Sequence, residues 1–265
     1  MTPRIASAFD QVRKSGGPGL VAYVTAGDPT LDRTADILVA LSDNGVTVLE
    51  VGVPFSDPLA DGPVIQRASE RALAGGTTLR KTLEMIATAR ARIGAPIVLF
   101  TYANPILRFG EAAFVRTAAE AGVDGVLMLD LPVEEAEGFR RRLVDALIDP
   151  IFLLSPTTTD ARIKASAALG RGFLYLISRL GVTGMREQVS SGAESLARRI
   201  REHSALPLAV GFGISRPEHV AEVCQWADAA VVGSALVNVI AEHGASADVA
   251  ARAGGFVRWL KTGQA

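Results

Sequence analysis

The feature that most constrains this chain is a repeated alternation. Eight short apolar runs, most of them bounded by Gly, Pro or Asp, are each followed by a stretch of helical character. The runs are Leu20–Thr25, Val46–Val51, Ile97–Tyr102, Gly125–Leu129, Ile151–Leu154, Phe173–Ile177, Leu208–Val210 and Ala229–Val232. They are apolar nearly throughout rather than at every second residue, which is the pattern of parallel strands covered on both faces. Strand then helix, eight times, predicts an α/β fold, a (β/α)8 TIM barrel. The 265 residues suit one such barrel, so residues 1–265 are read as a single domain with an extra helix ahead of the first strand.

Local punctuation supports this division. Between Leu31 and Asn44 the apolar residues bunch at Ile37, Leu38 and Leu41, and Gly45 marks the stop. Ser215-Arg-Pro-Glu218 reads as a capping box that starts a helix. Trp226 and Trp259 are read as helical packing residues, and Arg140, Arg141 and Arg142 as a solvated helix face. The interval from Val46 to Ile97 exceeds what one crossover needs, so an insertion is expected there, opening with the turn-rich stretch Gly52–Pro63. Long loops are thus expected after strand 2 (Pro54–Pro63) and strand 6 (Arg179–Ser191), both on the C-terminal face of a barrel, where active sites gather.

Composition excludes several classes of function. Lys plus Arg number 27 and Asp plus Glu 28, a net charge of −1 that gives no field to gather a polyanion or an anionic membrane surface. Neither nucleic acid nor membrane is an expected partner. The longest apolar stretch, Ala229–Ala241, is interrupted by Gly233, Ser234 and Asn238 and falls short of the ~20 residues that cross a bilayer. The N-terminal residues carry Arg4, Asp10, Arg13 and Lys14 and lack the apolar core of a secretory signal, and Cys224 is the only cysteine, so a cytoplasmic address is expected.

If the eight strands run in parallel, their C-terminal ends bring Thr25, Gly27, Asp28, Glu50, Tyr102, Asn104, Asp130, Ser155, Ser178 and Arg179 to one rim. Asp, Ser, Asn and Gly serve equally as turn formers, but Glu does not. Glu50 ends the apolar run of Val46, Val48 and Leu49, where desolvation raises a carboxyl pKa toward the general-acid range; a structural salt bridge is the alternative. Asp57 and Asp61 flank Pro58-Leu-Ala, where Asx turns are the plain reading, yet Gly62-Pro63 beside Asp61 leaves it free to reach over the mouth toward Glu50. Tyr175 lies mid-strand, as barrel filling or as a hydroxyl in need of a partner. Gly211–Ser215 and Val231–Ala235 both put small residues at helix N-termini after strands 7 and 8, either a phosphate cradle or two ordinary turns. Arg216 occupies the place of the third glycine of a dinucleotide fingerprint. Lys14, Lys81, Lys164 and Lys261 all fall outside the predicted strands, and His203, His219 and His243 lack ligand spacing, so neither a Schiff base nor a metal is expected and carboxylate acid–base chemistry remains.

Leu49–Ala68, Tyr175–Gly184, Gly211–Ser215 and Val231–Val237 together closely resemble the tryptophan synthase alpha chain, in order and over nearly the whole length. The resemblance implies a lyase that cleaves indole-3-glycerol phosphate to indole and glyceraldehyde 3-phosphate. It further implies a beta chain as partner in an alpha2beta2 heterotetramer, pyridoxal phosphate in that beta chain and no cofactor in this one. By the same likeness Glu50 is the general acid–base residue, Asp61 its partner at the indole nitrogen, and Tyr175 a neighbour of the reacting centre. Phosphate contacts fall to Gly184, Phe212, Gly213, Gly233 and Ser234, and the indole pocket to Tyr23, Leu127 and Leu129. Asp57, Asn104, Pro132, Arg179 and Thr183 correspond to loop and interface positions. Tyr23 stands where Phe is common in the family, and Leu153–Thr158 departs from its usual wording. A free-standing lyase without a beta partner and a non-catalytic phosphosugar-binding barrel are the competing readings.

Overall fold

The computed structural model describes residues 3–177, 191–211 and 213–264. Its eight strands are β1 (Gly19–Thr25), β2 (Val48–Gly52), β3 (Ile97–Thr101), β4 (Gly125–Met128), β5 (Asp149–Leu154), β6 (Leu174–Ile177), β7 (Leu208–Gly211) and β8 (Ala229–Val232). Each pairs in parallel with the next and β8 returns to β1, closing the (β/α)8 TIM barrel expected from the alternation.

Around it lie α1 (Arg4–Ser15), α2 (Leu31–Asp43), α3 (Pro63–Ala74), α4 (Leu79–Ala89), α5 (Ala103–Phe109), α6 (Glu111–Ala121), α7 (Glu137–Asp145), α8 (Asp160–Leu169), α9 (Ser191–Arg201), α10 (Pro217–Val223), α11 (Ser234–His243) and α12 (Val249–Thr262). The insertion between β2 and β3 is α3 together with its leading loop, and α5 and α12 are further additions to the repeat. Most helices turn an apolar stripe to the sheet: in α2 it is Ile37, Leu38 and Leu41, all fully buried, and Gly45 at φ +81 ends the helix in a conformation other residues resist.

Inside the barrel, alternate residues of each strand interdigitate, with Val21, Val48, Val98, Ile151, Phe173 and Ala209 among the packed interior. Helix α1 closes the N-terminal end. Ile5 and Phe9 are buried there, with the Phe9 ring 5.6 Å from that of Phe173. A Cβ on Gly125 would lie 2.9 Å from Ile5 Cδ1, so that strand end is kept bare for the plug.

Three local expectations need correcting. The residue before a proline avoids the helical region, so Arg216, at φ −141 and ψ 155, is the N-cap of α10 and Pro217 its first residue; Ser215 therefore lies outside the helix and makes no capping box. Trp226 lies in the turn after α10, half-buried against the core, whereas Trp259 is in α12 as expected. Of the arginine run, Arg140 is half-buried and donates to the Leu169 carbonyl, while Arg141 and Arg142 pair with Glu137 and Glu111 at the surface. Of the loop expected over Arg179–Ser191, Ser191 is the first residue of α9 and the rest lies outside the described residues.

Candidate active site

Glu50 does not end its strand. β2 continues to Gly52, and the register sets Glu50 between Tyr23 of β1 and Val98 of β3, so its side chain belongs to the barrel interior. It is 0% exposed, and neither carboxylate oxygen has a hydrogen-bond partner among the described residues. An uncompensated charge in such a place is costly, and burial, with Asp61 adding to it, pushes the Glu50 pKa up to about 8. The salt-bridge alternative finds no counterpart among the described ion pairs.

Asp61 comes from the loop that precedes α3. Gly62 is the N-cap and Pro63 the first helical residue, so the chain enters α3 directly behind the carboxylate. The Asp61 N–H donates to the Pro58 carbonyl (3.0 Å) and the Gln66 amide donates back to the Asp61 carbonyl (2.9 Å). The Tyr102 hydroxyl donates to Asp61 Oδ2 at 3.2 Å and accepts from the Ala60 N–H at 3.1 Å. Burial raises the Asp61 pKa to about 6, and the Tyr102 hydrogen bond opposes that rise. Arg71 of α3 clamps the buried Asp28 after β1 through two bonds of 2.9 and 2.8 Å, tying the helix to the rim.

The remaining pocket positions fall as the strand alternation requires. Tyr23 is buried, edge-on to Phe100 with ring centroids 5.2 Å apart, and Leu127 is buried beside them on β4. Leu129, expected within the strand, follows it and is half-buried, its N–H bonded to the Thr101 carbonyl. Tyr175 is buried, and burial followed by the Glu50 charge raises its pKa. Two glycines make room for the phenols. A Cβ on Gly52 would sit 2.1 Å from the Tyr23 hydroxyl oxygen, and one on Gly211 would sit 3.0 Å from that of Tyr175.

At the β7–β8 side, Gly213 adopts φ +65 and Gly233 is the N-cap of α11, with Ser234 its first residue. Both glycines are half-buried, and the positive end of a ten-residue helix faces the rim. Gly184 and Phe212 lie outside the described residues, as do Arg179 and Thr183. On the outer rim Asp57, Asn104 and Pro132 are exposed, and Leu59 is 94% exposed. Asp57 accepts from the Ser56 hydroxyl at 2.6 Å, not from a backbone N–H two residues on, so its described contact is not an Asx turn.

Sequence reasoning placed Tyr102 on the rim without giving it a task, and read Gly52 and Gly211 as parts of turns rather than as room for phenol rings. A tyrosine at a strand's carboxyl end facing a long acidic loop was the available signal; the glycines had none, since their role depends on rings from elsewhere. Among the described residues no cluster of three or more His, Cys, Asp or Glu is arranged to hold a metal, and no helix is long and apolar enough to cross a membrane.

This arrangement puts a buried and a half-buried carboxylate of unequal acidity at one barrel mouth, opposite a helix N-terminus. Comparison with known proteins agrees. The family model described as tryptophan synthase alpha chain matches residues 9–259. The tryptophan synthase alpha chains of Solibacter usitatus and Geotalea uraniireducens are each 47% identical over 260 residues, covering 98% of this chain and 97% of theirs. A structure of Mycobacterium tuberculosis tryptophan synthase superposes with a TM-score of 0.91 at 36% identity, covering 99% of this chain and 98% of that one. The tryptophan synthase alpha subunit of Legionella pneumophila superposes at 0.87, also with 36% identity, covering 98% of both chains.

Proposed function

The chain belongs to the tryptophan synthase alpha chain family, and from that membership we propose how its residues divide the reaction. The reaction is the cleavage of indole-3-glycerol phosphate to indole and glyceraldehyde 3-phosphate, a step of tryptophan biosynthesis. Indole C3 is a poor leaving group until it takes a proton and the ring becomes an indolenine. Glu50, largely protonated at neutral pH with a pKa of about 8, gives that proton. Asp61, largely ionised with a pKa of about 6, accepts from the indole N–H and stabilises the charge developing on nitrogen. Glu50, now a carboxylate, takes the proton of the glycerol hydroxyl next to C3. A carbonyl forms, the C3–carbon bond breaks, and its electrons restore the indole ring.

Tyr175 packs against the reacting carbon. Tyr23, Leu127 and Leu129 enclose the indole, and backbone N–H groups at Gly184, Phe212, Gly213, Gly233 and Ser234 hold the phosphate. The chain works as a single domain over residues 1–265, in the cytoplasm, and carries no cofactor or metal of its own. Its partner is a tryptophan synthase beta chain holding pyridoxal phosphate, assembled as an alpha2beta2 heterotetramer. The exposed rim of Asp57, Asn104 and Pro132, with Arg179 and Thr183 on the neighbouring loop, is the docking face.

The observation that carries this reading is the pair of carboxylates with separated acidities, Glu50 without a partner among the described residues and Asp61 held by Tyr102. A phosphosugar-binding barrel has no use for such a pair. The test is indole release from indole-3-glycerol phosphate, measured with and without a beta chain. Turnover in both, faster with the beta chain, is expected. Absence of turnover defeats the catalytic assignment, and equal rates favour a free-standing lyase.

A further inference from the structure

Tyr102 follows β3 and is buried against Phe55, the two ring centroids 5.2 Å apart. Its hydroxyl makes two bonds, both to the loop carrying Asp61, and the two have opposite polarity. The hydroxyl accepts from the Ala60 N–H (3.1 Å) and donates to Asp61 Oδ2 (3.2 Å). Accepting from a backbone N–H orients the hydroxyl proton outward, so its donor direction is set by the loop itself. A carboxylate with one oxygen held this way has the other available to a further donor.

We propose that Tyr102 is a positioning residue for the cleavage reaction: it engages Asp61 Oδ2 and the Ala60 N–H together, so that Asp61 Oδ1 is presented, ionised, to the indole N–H. The proposal rests on the assignment of Asp61 to the indole nitrogen. Nothing in it requires Tyr102 to touch substrate. Three features support it. The hydroxyl closes a bridge between a rigid strand end and a long loop, as the supporting contacts of precise sites do. A hydrogen bond donated to a carboxylate favours its charged form, opposing the burial that raises Asp61 toward about 6. And Asp61 enters no ion pair among the described residues, which leaves a neutral donor to hold its charge.

The groups facing Asp61 are Tyr23 from β1, Glu50 from β2 and Tyr175 from β6, while Asp130 after β4 faces Tyr102. Among these described neighbours none is a cation.

The experiment is a double-mutant cycle of Tyr102→Phe and Asp61→Asn in the complex with the beta chain, following indole release against pH and the binding of glycerol 3-phosphate as a probe of the phosphate cradle. Phe keeps the ring against Phe55. Tyr102→Phe is expected to lower kcat/KM roughly tenfold or more, the loss of a hydrogen bond to a charged group. The acidic limb of its pH profile is expected to move to higher pH while glycerol 3-phosphate binds as before. In the Asp61→Asn background the same change should add almost nothing. An unmoved acidic limb, or losses that simply add, overturns the positioning role while leaving Asp61 where it is. Near wild-type turnover by Asp61→Asn alone overturns the Asp61 assignment and the proposal with it.

Discussion

At the floor of the barrel Asp124 lies beside Arg4 and Arg90, and Asp228 beside Arg13 and Arg201. At the mouth, among the described residues, Glu50 has no partner, and Asp61 has the Tyr102 hydroxyl and the polar groups of its own loop. Both ends hold acids in partly or wholly desolvated places, yet among the described residues Glu50 and Asp61 meet no cation, whereas Asp124 and Asp228 at the floor, like Asp28 with Arg71 on the rim, do. A buried carboxylate with its arginine is a structural joint, and one left without a cation is a proton donor or acceptor waiting for a substrate. Asp149 at the floor shows that acidity alone does not separate the two cases. Burial brings its pKa to about 6, as for Asp61, but Arg171 opposes the rise. Location and company distinguish the mouth from the floor.

Four changes can break or sharpen this contrast. Glu50→Gln should reduce turnover by at least ~10² to 10⁴-fold with substrate still bound, because a positioned acid–base group is lost. Its stability should respond in the opposite sense. Burial raises the folded pKa of Glu50 from 4.5 to about 8, so its contribution is full in acid and lost as pH climbs through 8. The Gln variant should lack that slope in thermal melts taken across pH, and near wild-type turnover would remove Glu50 from its role.

Gly233→Asp should come next, raising KM ~10-fold or more, since a carboxylate at the N-terminus of α11 repels a phosphate dianion. The nearest atom to a Cβ there is Tyr23 Cβ at 3.8 Å, so the substitution fits and an unchanged KM would move the phosphate elsewhere.

Asp228→Asn probes the floor. It weakens the links to Arg13 and Arg201 and the 2.8 Å bond from the Leu208 N–H, and should cost ~1 to 3 kcal/mol of stability in denaturant unfolding. Turnover of the folded variant should be unchanged, and a loss of kcat there would erase the division between floor and mouth.

Smallest is Asp57→Ala on the exposed rim, expected to reduce stimulation by a beta chain a few-fold, about 1 kcal/mol, while sparing basal cleavage. Titration of the beta chain decides it: equal losses in both rates would make Asp57 merely structural.

The barrel was legible because its signal is periodic and long. Eight apolar runs declare their strands without knowledge of what they pack on, whereas Tyr23 and Leu127 were assigned to a pocket by the family resemblance alone. What escaped was set by single local contests or by distant contacts. Ser215 lost its capping role to the backbone restriction that Pro217 imposes on Arg216, a one-residue matter. Glu50 read as a strand end because Gly52 looks like a turn residue, whereas here the glycine remains in the strand and admits the Tyr23 hydroxyl. The bond from Tyr102 to Asp61 joins segments 41 residues apart, and no spacing rule reaches so far.

The plug of Ile5 and Phe9 has a consequence for the order in which the protein is made. Helix α1 leaves the ribosome well ahead of its seat, which includes Gly125 and, about two-thirds of these 265 residues later, Gly172 and Phe173. At roughly 5–20 residues per second, the apolar face of α1 waits on the order of ten seconds to half a minute for the surface that covers it. The charges of Arg4, Asp10, Arg13 and Lys14 along that short helix keep the nascent chain wet in the interval, and the barrel acquires its floor only when most of its wall exists.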